Sequence, residues 1–177
     1  MKIAAGRIEK FLRSPDAGVV FVLVYGPDSG LVNERAIALV QSVAGSQSDP
    51  FRVSELAAAA LKGDPARLAD EAGAQSMTGG RRAVRLSDAA DAITPIVAAY
   101  LEEAKGDSLI VAEAGTLGPR SSLRRLAEKL PNSAAIACYA DDGRSLGQVI
   151  AETLKDRGLS ATADARAYLA THLGSDR

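Results

Sequence analysis

The residues with the clearest chemical potential are Tyr25-Gly26-Pro27-Asp28-Ser29-Gly30-Leu31-Val32-Asn33-Glu34. A glycine-containing turn between an apolar run and a helical pattern is where a nucleotide-binding βαβ unit cradles phosphate, through loop amides and the positive end of the helix. A loop that handles a triphosphate has the form G-x-x-x-x-G-K-[ST]. Counted from Gly26, glycine belongs at position 31, lysine at 32 and a hydroxyl at 33. The chain has Leu31, Val32 and Asn33, and its nearest glycine, Gly30, comes one residue early. The β/γ-phosphates lack their lysine and Mg²⁺ lacks its hydroxyl, while Asp28 and Glu34 bring negative charge to the same place. An active site of this kind also carries an Asp-Glu pair at the end of the strand facing the loop, one carboxylate for metal and one for water. Here the pair reads Ala112-Glu113. Both losses point to a degenerate nucleotide site at Gly26, Gly30, Leu31, Val32, Asn33, Ala112 and Glu113, with no catalytic residue, cofactor or metal ligand assigned. A divergent P-loop NTPase, or a plain βα turn in an unrelated α/β fold, are the alternatives for the same residues.

Other candidates are weaker. Asp28, Asp141 and Asp142 follow predicted strand ends, where α/β sheets bind ligands. Three carboxylates there could hold Mg²⁺, as in an acidic-pocket receiver-like module, although loop Asp residues are ordinary turn formers. Cys138 lies in an apolar run and reads as a small buried hydrophobe. His172, the single histidine, has no nucleophile near it in sequence. Arg81-Arg82 with Arg85, and Arg120 with Arg124-Arg125, form basic clusters suited to a solvated face or to contact with phosphate or an acidic partner.

The elements that must position these residues follow from periodicity. Residues 3–13 predict an amphipathic helix. The valine-rich run 19–25 predicts a strand buried on both faces, as in a parallel sheet. Helical spacing follows over 31–43. A short strand is expected at 50–54 and an alanine-rich helix at 54–61. A further helix runs from Pro65 to about Ala72 with Asp64 as its cap. Strands are expected at 83–86, 108–112 and 134–139. Helices are expected at 93–104, capped from Asp88 to Asp91, and at 123–130, capped by Ser121 or Ser122. From Ser145 the pattern is helical only, over 146–154 and 161–173. Alternating strands and helices predict a three-layer α/β domain with a mostly parallel sheet, here 1–142, followed by a partial helical unit, 143–177. Two short helices are too few to enclose a core, which predicts a bundle cut short.

Composition narrows the class. At 177 residues and 47% apolar, the chain can bury one sizeable core. Its net charge of −1 argues against a wholly electrostatic nucleic-acid binder. With 4% aromatics and no Trp, base-stacking platforms are not expected. One cysteine excludes an internal disulfide and suits the cytoplasm. No apolar run approaches the roughly 18 residues of a membrane span, and residues 1–17 lack the apolar core of a signal peptide.

Three stretches, in this order, carry a resemblance that covers essentially the whole chain. They are Tyr25 to Ala36, Gln75-Ser76-Met77-Thr78-Gly79-Gly80-Arg81-Arg82, and Val111 to Leu117 with Pro119 to Leu126. Together they resemble the delta subunit of the bacterial DNA polymerase III clamp loader. The resemblance implies an AAA+-type (RecA-like) domain with a non-functional P-loop, the start of a small helical lid, and a collar domain absent from this chain. It implies DNA replication in the cytoplasm, with the sliding clamp and the ATP-binding motor subunits as partners. DNA would be met through the assembled complex, and no membrane is involved. The chain would hydrolyse no ATP itself while belonging to a DNA-directed DNA polymerase (nucleotidyltransferase) holoenzyme. In the family a Ser followed by an apolar pair, usually Leu-Phe, enters a pocket on the clamp. The matching clamp-binding residues are Ser76, Met77 and Thr78. Met suits an adaptable apolar contact, but Thr78 gives up aromatic area, so that either the pocket contact is weaker here or neighbours such as Leu68 contribute.

Overall fold

The computed structural model describes residues 1–46, 49–76, 79–103, 106–139, 150–151, 153–154 and 157–172. At its centre lies β1 (Phe21–Tyr25), buried along its whole length. It pairs in parallel with β4 (Leu109–Ala114) on one side and β5 (Ser133–Ala137) on the other, so that Phe21 faces both Ile110 and Ser133. Strand β3 (Ala83–Ser87) adds to β4, and β2 (Val53–Ala57) forms the far edge, giving the all-parallel order β2-β3-β4-β1-β5. A strand paired on both edges and covered on both faces has to be apolar throughout, which is why its sequence does not alternate.

Two cores sandwich the sheet. Phe21, Leu23 and Tyr25 point to one, with α3 (Ala60–Gly63), α4 (Arg67–Gly73), α5 (Thr94–Glu103) and α6 (Ser122–Lys129). Val22 and Val24 point to the other, with α1 (Ile8–Arg13) and α2 (Ser29–Ala44). Chain continuity explains the split. The crossover after β1 runs to the far edge, and the later ones return in the opposite direction, so right-handed connections place α2 on one face and α4 to α6 on the other. This is the three-layer AAA+/RecA-like α/β fold.

Three local expectations fail for tertiary reasons. Residues 54–61 do not form an alanine-rich helix; 53–57 pair with β3 from Val53↔Ala83 to Ala57↔Ser87, burying Val53 and Leu56. Alanine's helix preference amounts to a few tenths of a kcal/mol per residue and loses to an available sheet edge. Asp64 does not cap α4 with its side chain; the helix starts at Arg67, whose N–H bonds the Asp64 carbonyl at 3.3 Å. Asp91, expected to cap α5, caps α6 across space. Its carboxylate accepts from Ser121 Oγ at 2.5 Å and from the Leu123 N–H at 3.0 Å, while Ser121 accepts from the Arg124 N–H at 3.2 Å.

The Ser121 hydroxyl first, and then the Leu123 amide, hold the Asp91 carboxyl below the usual carboxylate range. The unfolded chain therefore binds this proton more readily. The stabilisation is fully present above the unfolded value, about 4, and is lost as pH falls through the lower folded value. Asp91→Asn should remove that acid-side slope, leaving a flatter profile of urea midpoint between pH 5 and 3 than wild type shows.

The chain divides into two compact units, Met1–Cys138 and Tyr139–Arg177. The expected boundary at 142/143 falls within 140–149, outside the described residues. In the second unit, the helix Ala163–His172 stacks the Tyr168 and His172 rings with centroids 4.0 Å apart.

Candidate functional site

Parallel strands bring their carboxyl ends to one edge of the sheet, the usual place for a ligand in an open α/β fold. There the Gly26 loop is short: α2 begins at Ser29, directly after its cap Asp28. The Asp28 carboxylate accepts from the Leu31 N–H at 2.9 Å, and the Asp28 carbonyl accepts from the Val32 N–H at 3.0 Å. A negative charge of the chain itself thus sits on the positive end of α2. Gly26 is buried against the end of β5. A Cβ there would lie 2.5 Å from the carbonyl carbon of Cys138 and closer still to its oxygen. The Cys138 N–H donates to the Tyr25 carbonyl at 2.7 Å. Glycine at this position meets the demands of strand packing. Arg35 closes the same corner, donating to the Ala137 carbonyl at 3.0 Å and to Cys138 Sγ at 3.5 Å. Burial raises the Cys138 thiol against the pull of Arg35, so it stays a neutral, buried small side chain.

Beside this corner, Arg85 from β3 meets Glu113 from β4 in a two-pronged ion pair. Nε lies 2.5 Å from Oε1, and Nη2 donates to Oε2 at 3.2 Å. Nη2 also donates to Asn33 Oδ1 on α2 at 2.7 Å, and Nη1 lies 3.6 Å from Glu55 Oε1. The Arg85 and Glu113 side chains are only 23% and 12% exposed. The hydrogen bond to Glu113 raises the Arg85 guanidinium above its ordinary value, in spite of desolvation. Of the sequence-predicted residues, the fold therefore joins Asn33 and Glu113 through one internal cation. It keeps Gly26 at the loop, takes Gly30 into the first turn of α2, and buries Leu31, Val32 and Ala112 in the two cores. Sequence reasoning missed Arg85 as the partner of Glu113, because the two are neighbours only across a ladder. It also used Asp88 only as a cap. Asp88 stands exposed at the carboxyl end of β3 with a left-handed backbone, φ 54°, and its signal was its place directly after a strand.

The expected basic cluster Arg81-Arg82-Arg85 does not form one face. Arg82 is buried, donating to Ser54 Oγ at 2.8 Å and to the Glu71 carbonyl at 3.5 Å. Arg81 donates to the carbonyls of Val19 and Asp107, tying the starts of β1 and β4 to its own loop. Burial lowers the Arg81 guanidinium, against the opposing effect of Asp107. Arg124 pairs with Glu128 at 2.9 Å and lies over the Tyr25 ring, 5.1 Å from its centroid, whereas Arg120 and Arg125 are exposed.

At the opposite, amino edge, the Gly79 N–H bonds the Ser76 carbonyl at 3.2 Å. Met77 and Thr78 lie outside the described residues, as do Asp141 and Asp142. A groove of about 830 Å³ runs between α4 and α5, lined by Leu68, Ala72, Arg82, Ile96 and Tyr100 among others. Leu68 itself is fully buried and belongs to the core, so it cannot compensate at the surface for Thr78. Among the described residues, no group of three or more His, Cys, Asp or Glu side chains could hold a metal ion. Nor is any helix there long and apolar enough to cross a membrane.

No protein-family model matches the chain, and neither does any curated protein. Solved structures do match. The Bacillus subtilis DNA clamp loader delta protein superposes with a TM-score of 0.69 at 17% identity, over 94% of this chain and 51% of that one. A DNA polymerase III gamma subunit-related protein from Thermotoga maritima superposes with a TM-score of 0.51 at 16% identity, over 95% of this chain and 57% of that one. The chain thus spans about half the length of these two structures. At such identities the likeness is one of fold, and the fold is the one implied by the three sequence stretches.

Proposed function

We propose that the chain is the amino-terminal part of a delta-like clamp-loader subunit acting in DNA replication, which binds a sliding clamp and leaves ATP hydrolysis to partner subunits. The observation that carries this reading is the state of the carboxyl edge. Asp28 occupies the end of α2, and the Arg85–Glu113 pair with Asn33 fills the place where metal and triphosphate chemistry would be managed. A nucleotide entering there would have to displace a carboxylate and separate an ion pair, without the lysine that offsets phosphate charge. Such a domain can still serve as a rigid protein-binding module. The fold shared with the Bacillus subtilis protein and the Ser76-Met77-Thr78 stretch suggest which module it is. DNA and the other loader subunits would be met through the assembled complex.

Titration of the chain with the sliding clamp of the same organism should give saturable binding that Met77→Ala weakens about tenfold, as for the loss of one good anchor. Calorimetry with ATP and Mg²⁺ should give no saturable heat. Absence of clamp binding, or micromolar magnesium-dependent binding of ATP, would overturn the proposal.

A further inference from the structure

The groove between α4 and α5 holds two polar groups that the fold leaves unanswered. Arg82 and Tyr100 both line it, and they are only 8% and 9% exposed. Arg82 Nη2 donates to Ser54 Oγ at 2.8 Å and Nη1 to the Glu71 carbonyl at 3.5 Å, but Nε has no partner. The Tyr100 hydroxyl has none either, and both atoms are closed off from water. A buried donor left without an acceptor carries the full cost of its desolvation. Among the described residues, no carboxylate forms an ion pair with the Arg82 guanidinium. The Glu71 carboxylate is reached only through Ser54, whose hydroxyl donates to Glu71 Oε2 at 2.8 Å. Burial raises the Tyr100 hydroxyl above its ordinary value, against the pull of Arg81, so it remains a donor. Both groups therefore ask for an acceptor, and the cation asks for a negatively charged one.

The rest of the groove describes the body of the ligand. Its volume of about 830 Å³ is within the range of small-ligand pockets. Leu68, Ala72 and Ile96 give it an apolar floor, while Gln75, Glu103 and Asp107 stand exposed at its rim. An apolar side chain suits that floor. The rim offers hydrogen bonds that amide groups can use and a hydrocarbon chain cannot.

We propose that this groove binds the carboxyl end of a peptide whose last residue is apolar, its terminal carboxylate taken by Arg82 Nε and the Tyr100 hydroxyl. The last side chain lies on Leu68, Ala72 and Ile96, and the preceding amide groups meet the rim. The two donors lie beneath the surface of the groove, so docking includes a side-chain movement of Arg82 or Tyr100, which is common when partners bind. The Nη1 bond to Glu71, the longer of the two that Arg82 makes, is the one most easily given up. The site lies at the amino edge, apart from the Arg85–Glu113 corner, and does not depend on clamp binding.

The test is a titration of the whole ¹⁵N-labelled chain, followed by heteronuclear NMR, with three probes: N-acetyl-leucyl-leucine, its carboxamide, and decanoate. The free acid should shift the amide signals of Ala99, Tyr100 and Asp107 saturably. The carboxamide should bind about tenfold more weakly or worse, because it forfeits the charge-assisted bonds. Decanoate should also bind more weakly than the free acid. Tyr100→Phe removes a hydroxyl that bonds nothing in the folded chain. Its thermal midpoint should therefore equal or exceed that of wild type, while its affinity for the free acid falls about threefold or more. No saturable shift at these residues, equal affinity for acid and carboxamide, or wild-type affinity in Tyr100→Phe would overturn the proposal. Tighter binding of decanoate than of the dipeptide acid would overturn the peptide as the occupant.

Discussion

Gly26→Ala should come close to unfolding the protein. The new methyl group would meet the backbone of Cys138, with its Cα at 2.9 Å and its carbonyl carbon at 2.5 Å. Neither atom belongs to a flexible side chain that can swing aside. Relief requires the ends of β1 and β5 to part, which breaks the Cys138 N–H to Tyr25 bond at 2.7 Å and opens both cores at the fully buried β1. Overpacking of this kind, with loss of a central ladder bond, costs about 3–5 kcal/mol. Domains of this size hold about 5–15 kcal/mol in total. Urea denaturation followed by circular dichroism should show the midpoint falling by a third or more. Gly18→Ala, where a Cβ meets nothing within 4 Å, should shift stability by less than about 0.5 kcal/mol. A wild-type midpoint for Gly26→Ala would show that the corner has more room than its geometry implies.

The second large effect is expected at the Arg85–Glu113 pair. Arg85→Met leaves a carboxylate whose side chain is only 12% exposed without its cation, and leaves Asn33 Oδ1 without its donor. Removing one partner of such a pair costs about 2–4 kcal/mol, because the remaining charge stays poorly solvated. Removing both should cost much less. Arg85→Met/Glu113→Leu puts two apolar side chains across the β3–β4 ladder and should lie closer to wild type than Arg85→Met does. The double-mutant cycle, measured from urea midpoints, should return a coupling of about 1–3 kcal/mol. Strict additivity would mean that the pair is a solvated surface contact, and would weaken the view that it fills the nucleotide corner as a structural unit.

Residues with a strong local or periodic signal were legible in advance. The valine-rich run had to be a doubly covered strand because no polar side chain interrupts it. Leu31, Val32 and Asn33 showed that the turn after β1 departs from the G-x-x-x-x-G-K-[ST] pattern, since identities at fixed offsets require no structure to read. The cap of α6 was narrowed to Ser121 or Ser122 because a helix start is a matter of a few neighbouring residues, and Ser121 takes the position. The failures share a different origin. Residues 53–57 became an edge strand through pairing with β3, Asp91 capped a helix about thirty residues away, and Arg81, Arg82 and Arg85 were separated into three unrelated bonding settings.

By itself, the sequence determined the layer architecture, the buried strands and the absence of a lysine at position 32 and a hydroxyl at position 33, because burial pattern and residue identity are local properties of a chain. Only the tertiary structure decided that Glu113 meets Arg85, that Gly26 is required by Cys138, and that Arg82 and Tyr100 line one groove. Each of these depends on which strands become neighbours. In the order β2-β3-β4-β1-β5, that is set by the handedness of crossovers and the covering of both sheet faces, and no window of sequence contains it.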